Sequence, residues 1–146
     1  MDDPYYGLDR FVAAQDAGGA YQQAVAELRR GRKTSHWMWF VFPQVAGLGQ
    51  SPTSRRYAIS SVDEARAYLR HPVLGPRLAE AARILTGLPG GDAERIFGGL
   101  DAQKLRSSMT LFYRANPDEP VFGQVLTQYF GDQPDPVTDR LLGLFD

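Results

Sequence analysis

Apolar positions along the chain recur every three or four residues and rarely alternate, which predicts helices throughout. Leu8, Phe11 and Val12 open the series, with Gly7 as N-cap and Gln15 extending the stripe. A carboxamide on that stripe must find partners if it is buried. Beyond the Gly18-Gly19 break, Tyr21, Val25 and Leu28 define a second helix that ends near Gly31. Ser35 can cap a short helix through the aromatic residues that follow, stopped before Pro43. Residues 45–54 are rich in glycine, proline and small polar side chains and read as an irregular loop.

Ser61 and Glu64 have capping-box spacing, and the helix behind them carries Ala65, Tyr68 and Leu69 before stopping at His71-Pro72. Leu78, Ala81, Ala82 and Leu85 mark the next helix, closed by Gly87 and the Pro89-Gly90-Gly91 turn. Asp92 can cap residues 93–97, and Asp101 a longer helix with the stripe Leu105, Met109 and Phe112. Val121, Val125, Leu126 and Tyr129 follow. Asp135-Pro136 opens a last helix through Leu141, Leu142 and Phe145. No stretch alternates with β-branched enrichment, so little or no sheet is expected. The expected architecture is all-α: one compact domain over residues 1–146, about seven or eight short helices, residues 1–7 loosely ordered.

A length of 146 residues suits one domain with its own core. The chain has no cysteine, which removes disulfides, thiolate nucleophiles and zinc–thiolate sites. The longest apolar run, residues 37–42, is too short to span a membrane, and the acidic N-terminus lacks the pattern of a secretory signal. A cytoplasmic protein is expected. The net charge of −1 gives no strong nucleic-acid signal. The charge is nonetheless uneven: Arg29, Arg30, Arg32 and Lys33 form a basic block, whereas six acids from Asp118 onward face only Arg140.

Nucleotide-binding glycine loops, serine-hydrolase elbows and the H-E-x-x-H metalloprotease pattern are missing. His36 and His71 have no third ligand at a recognisable spacing, so no metal site is expected, and no cofactor is implied.

Candidate chemistry concentrates in two segments. Residues 31–44 contain Lys33, Ser35, His36 and both tryptophans, Trp37 and Trp39, with Gln44 at the end. Six consecutive apolar residues on a short helix point in every direction, so most belong to a core. Each buried indole N–H still needs an acceptor, for which Gln15 and Gln44 are candidates. His36 reads first as a helix-start histidine satisfied by backbone groups, and it also suits acid–base chemistry.

Residues 104–112 form the second segment. At about 100° per residue, Asp101, Lys104 and Ser108 line one border of the Leu105, Met109 and Phe112 stripe. Arg106 falls on the opposite border, and Ser107 points away from the core. Lys104 and Ser108 could face one cavity; a lysine beside a serine also occurs in Ser–Lys hydrolases. Arg106 can bind an anion bidentately or pair with an acid of the C-terminal third. The hydroxyls and guanidinium groups of residues 51–57, Arg55 and Arg56 included, suit phosphate or a solvated loop.

Phe11-Val12-Ala13-Ala14-Gln15, residues 31–44, Ser51-Pro52-Thr53 with Tyr57-Ala58-Ile59, residues 71–78 and residues 104–112 occur in this order. Together they resemble a family of uncharacterised bacterial proteins of about this length, often mislabelled "calpastatin". The resemblance runs from about Leu8 to the end, and Ser-His-Trp-Met-Trp-Phe and Lys-Leu-Arg-Ser-Ser-Met-Thr-Leu-Phe are its most specific strings. It implies a compact multihelical domain and brings no activity, cofactor or catalytic residue. Genuine calpastatin is a disordered inhibitor, a state this aromatic composition opposes.

Two functions fit these observations. One is a pocket for a small anionic metabolite, phosphate- or nucleotide-like, walled by Trp37 and Trp39. Gln15 would lie at its base, and His36, Arg55, Lys104, Arg106 and Ser108 would supply polar contacts. If catalysis occurs there, His36 or Lys104 is the acid–base candidate. The alternative is a non-catalytic module binding a protein partner through the basic block and an aromatic edge. A closed pocket favours the first, a flat exposed aromatic patch the second.

Overall fold

The computed structural model describes residues 6–143. Its α-helices are α1 (Asp9–Asp16), α2 (Ala20–Arg30), α3 (Met38–Val41), α4 (Pro52–Arg56), α5 (Val62–Arg70), α6 (Leu74–Gly87), α7 (Ala93–Phe97), α8 (Gly99–Ala115), α9 (Pro120–Phe130) and α10 (Pro136–Leu141). A 3-10 turn, Ala17–Gly19, joins α1 to α2. No strand occurs among the described residues; the only β feature there is an isolated parallel bridge between Val45 and Ile59. The all-α, single-domain expectation holds. No helix among the described residues is long and apolar enough to cross a membrane.

The helical segments outnumber the seven or eight expected, and α4 falls inside the stretch read as a loop. Ser51 accepts the Ser54 backbone N–H and Pro52 occupies the first turn, so the same residues that signal a loop also start a helix. Three other expected caps are in place: Ser61 accepts from Glu64 N, Asp92 from Arg95 N and Asp135 from Thr138 N. The capping box is only half formed, because the Glu64 carboxylate turns to Ser60 and Arg10 instead. Gly7 and Asp101 are not caps. The first helix is entered through Leu8, and α8 begins at Gly98, placing Asp101 inside its first turn.

The N-terminal segment expected to be loose lies mostly outside the described residues. Its end is held: Arg10 Nη1 donates to the Tyr6 and Gly7 carbonyls at 2.7 and 2.9 Å. Phe145 also lies outside the described residues. Leu141, on the last helix as expected, is exposed, because α10 presents Thr138 and Asp139 inward.

Helix α8 is the centre of the molecule and packs against α5, α7, α9 and α10. Leu105, Met109 and Phe112 are fully buried, as the stripe requires. From Ser107 to Phe112 every residue of α8 is buried, and this corrects the placement of Ser107. The residue is buried; its hydroxyl donates to the Gln103 carbonyl and to Asp135 Oδ2, both at 3.1 Å. The turn before α10 covers the side of α8 that a helical wheel assigns to solvent. Ser107→Ala should therefore cost about 1–2 kcal/mol, the range for a buried hydrogen bond, and not a negligible amount. A chemical-denaturation midpoint equal to that of the parent would refute the Asp135 contact.

Candidate functional site

The segment before α3 folds around one carboxylate. Glu27, fully buried near the end of α2, accepts the backbone N–H groups of Thr34 and Ser35 at 2.7 and 3.0 Å. It also accepts Trp37 Nε1 at 2.9 Å, Gln23 Nε2 at 2.8 Å and the Ser35 hydroxyl. Burial opposes ionisation of this carboxyl, yet the hydrogen bonds from Ser35, Thr34, Gln23 and Trp37 outweigh it and hold the group well below the usual carboxylate range. Ser35 is thus a Glu27 ligand and not the cap of α3, which starts behind Trp37 without a side-chain cap. Trp37 is core, packed against Phe42 and Phe97.

Gln15, placed by sequence at the base of a pocket, ties α1 to the same region. It donates to the Phe40 carbonyl at 2.8 Å and to the Tyr68 hydroxyl at 3.2 Å, and accepts from Arg77. Neither glutamine serves an indole; Glu27 takes the Trp37 N–H.

Lysines pin this segment to α8. Asp101 receives Lys33 at 2.8 Å and Lys104 at 2.9 Å. Lys33 lies 5.1 Å from the Trp37 ring and Lys104 lies 4.6 Å from the Trp39 ring. Burial raises the Asp101 carboxyl, but bonds from the two lysines prevail and lower it.

Trp39, half-buried, borders a cavity of about 140 Å³. Its other walls come from Gln44, the 45–49 loop, Ser54, Arg55, Tyr57 and Ala58. The loop is held by the Val45–Ile59 bridge, with Ala46 N donating to Ile59 O at 2.8 Å and Ile59 N to Gln44 O at 2.9 Å. From the opposite side, Arg10 donates to the Arg56 and Ala58 carbonyls at 2.7 and 2.8 Å and pairs with Glu64. Tyr57 and Ala58 are thereby fixed at the cavity wall.

Gly49 is required here, because a Cβ would sit 2.5 Å from the Ser54 Cβ and 3.6 Å from the Trp39 ring. Gly47 has φ +103°, a conformation that disfavours side chains, and its backbone abuts Leu141.

Gln44 is the unusual member of this wall. The residue is 9% exposed, and its side chain makes no hydrogen bond with the described residues. Arg55 stands exposed at the rim, its guanidinium only 3.5 Å from the Gln50 carboxamide oxygen.

The sequence-derived site residues therefore separate. Trp39 and Arg55 meet at the cavity, and Lys104 covers Trp39. Ser108, one turn beyond Lys104 on α8, is fully buried with no hydrogen-bond partner for its hydroxyl. Trp37 and Gln15 are structural, and His36 is exposed on the turn before α3. Arg106 borders a different hollow near α7 and α9, and it donates to the Gln133 and Pro134 carbonyls, both at 2.9 Å, where an acid was expected. His71 Nδ1 accepts the Val73 and Leu74 N–H groups at the start of α6. Arg10 and Glu27 were not singled out from sequence, since a lone charge beside an apolar stripe usually marks its solvent border. No group of three metal-ligating side chains occurs among the described residues.

The family model described as "Protein of unknown function (DUF1810)" matches residues 5–142. The crystal structure of the conserved hypothetical protein Rv1873 from Mycobacterium tuberculosis is similar to this chain, with 50% identity and a TM-score of 0.92 over 98% of this chain and 100% of that one. No curated protein matches.

Proposed function

Starting from a chain that belongs to the DUF1810 family, we propose that it binds a small anionic metabolite, phosphate- or nucleotide-like, in the cavity beside Trp39. Gln44 carries this reading. Its carboxamide makes no hydrogen bond within the described residues and is not one of the sealed, unpartnered polar groups, so its donors and acceptor are open to a guest at the cavity. Trp39 and Tyr57 contribute the apolar wall and Arg55 the charge at the rim, the usual division of labour in a small-molecule site. Lys104 backs the Trp39 ring, with Ser108 one turn beyond it on the same helix. The proposal is for binding, without assigned catalysis, because Lys104 is engaged by Asp101 and His36 projects from a solvent-facing turn. Trp37 is buried and neither tryptophan is among the exposed large hydrophobic residues, Leu100, Val137 and Leu141. That distribution favours a pocket over an aromatic docking patch.

Thermal melts against nucleoside monophosphates, sugar phosphates and inorganic phosphate test the reading. A ligand present at a hundred times its Kd stabilises by about 2.7 kcal/mol, so the melting temperature should rise by several degrees. Arg55→Ala should melt like the parent without ligand and lose most of the ligand-induced rise. No rise with any member of the panel would displace this reading in favour of a protein-docking role.

A further inference from the structure

We infer that the guest is a pyrimidine nucleoside monophosphate, its single ring lodged against Trp39 and Gln44 and its phosphate outside at Arg55. The inference rests on the anion-binding reading above and narrows it to one class of ligand. Size is the first argument. The cavity holds about 140 Å³, close to the roughly 150 Å³ in which an engineered protein cavity holds one benzene ring. One six-membered ring fills such a space, whereas the fused pair of a purine exceeds it.

Polarity is the second argument. The space is not closed by apolar groups alone, since Gln44 lines it and its carboxamide, free of hydrogen bonds within the described residues, offers a guest an acceptor oxygen and two N–H donors. A donor next to an acceptor is complementary to the N–H and C=O edge of uracil, and to the amino and ring-nitrogen edge of cytosine. A carboxylate or a phosphate would satisfy only the donor half of that amide. The flat side chains beside it, Trp39 and Tyr57, suit a ring more than a branched acid.

Charge placement is the third. Among the described residues the only charged side chain lining the cavity is Arg55, which is exposed at the rim. The Ser54 hydroxyl in the wall already donates to the Ser51 carbonyl at 2.8 Å. An anionic group therefore belongs at the mouth and a neutral ring inside, the polarity of a nucleotide entering base first.

Isothermal titration of the intact protein with uridine, cytidine, adenosine and guanosine 5′-monophosphates and with ribose 5-phosphate tests the assignment. The two pyrimidine nucleotides should bind at least tenfold more tightly than the purine nucleotides or ribose 5-phosphate. Gln44→Leu should weaken the pyrimidine nucleotides at least tenfold and leave ribose 5-phosphate unchanged. It should melt no lower than the parent, because the amide it replaces has no protein partner. Gln44→Glu, which keeps the length but loses both donors, should weaken the same ligands.

Equal affinity for purines, pyrimidines and ribose 5-phosphate would overturn the ring assignment and leave the anion-binding reading standing. Absence of binding by all five would overturn both. A markedly lower melting temperature in Gln44→Leu would make Gln44 structural and remove the basis of the inference.

Discussion

Glu27→Ala is expected to destabilise the protein by roughly 3–5 kcal/mol, because several neutral donors lose their acceptor at once and a donor left unsatisfied in the interior costs about 1–3 kcal/mol. The substitution strips the acceptor from Trp37 Nε1, the Thr34 and Ser35 backbone N–H groups, the Ser35 hydroxyl and Gln23. Trp37 is buried and cannot recover its bond from water, whereas Thr34 and Ser35 are nearer solvent and can. The loss should fall in that range and not at the sum of five full penalties. Urea unfolding followed by circular dichroism would measure it, and a loss below 1 kcal/mol would refute the hub.

The same carboxylate predicts an acid response. Its folded-state pKa is depressed below the unfolded value, as is that of Asp101. Their stabilisation is therefore fully present above the ordinary carboxylate range and is lost as pH falls through the folded values. The parent should begin to lose stability below about pH 5, and Glu27→Ala should lose less over the same interval.

Phe112→Ala is the second large effect, at roughly 3–5 kcal/mol. The ring is fully buried where α8 meets α5 and α9, with Tyr68 at 5.3 Å and Phe122 at 5.9 Å between centroids. Removing it deletes apolar contact on both sides, and backbones clamped by neighbouring helices can collapse only partly into the void. The denaturation midpoint should fall with the slope unchanged, since the folded and unfolded ensembles remain the same. A loss under 1.5 kcal/mol would mean that α8 is not the central helix.

Local signals were legible where one residue type had one physical use. Ser61, Asp92 and Asp135 cap helices because their short side chains reach the next N–H groups, and Phe11, Leu105 and Phe112 are buried because their stripes leave no other place. Ser107 shows where this stops. Its wheel position assumes a helix with a wet side, and only the chain returning through residues 133–135 removes that side. Glu27 fails for a related reason: its burial depends on the turn from Gly31 to His36 folding back over the end of α2. Of the residues grouped from sequence, Trp39 and Arg55 line one cavity and Lys104 lies over the Trp39 ring. Gln44 was read as an indole acceptor because its alternative, an amide facing a cavity, depends on the 45–49 loop crossing in front of it.

The two tryptophans divide: Trp37 belongs to the Glu27 network, whereas Trp39 borders the cavity proposed to bind the ligand. With only two tryptophans in the chain, a ¹H–¹⁵N spectrum carries two indole N–H signals that report on them separately. On titration with uridine 5′-monophosphate, the Trp39 signal should shift progressively and saturate while the Trp37 signal, fixed on Glu27, stays in place. A saturating shift confined to Trp37, or two unmoved signals at a concentration that raises the melting temperature, would contradict the account.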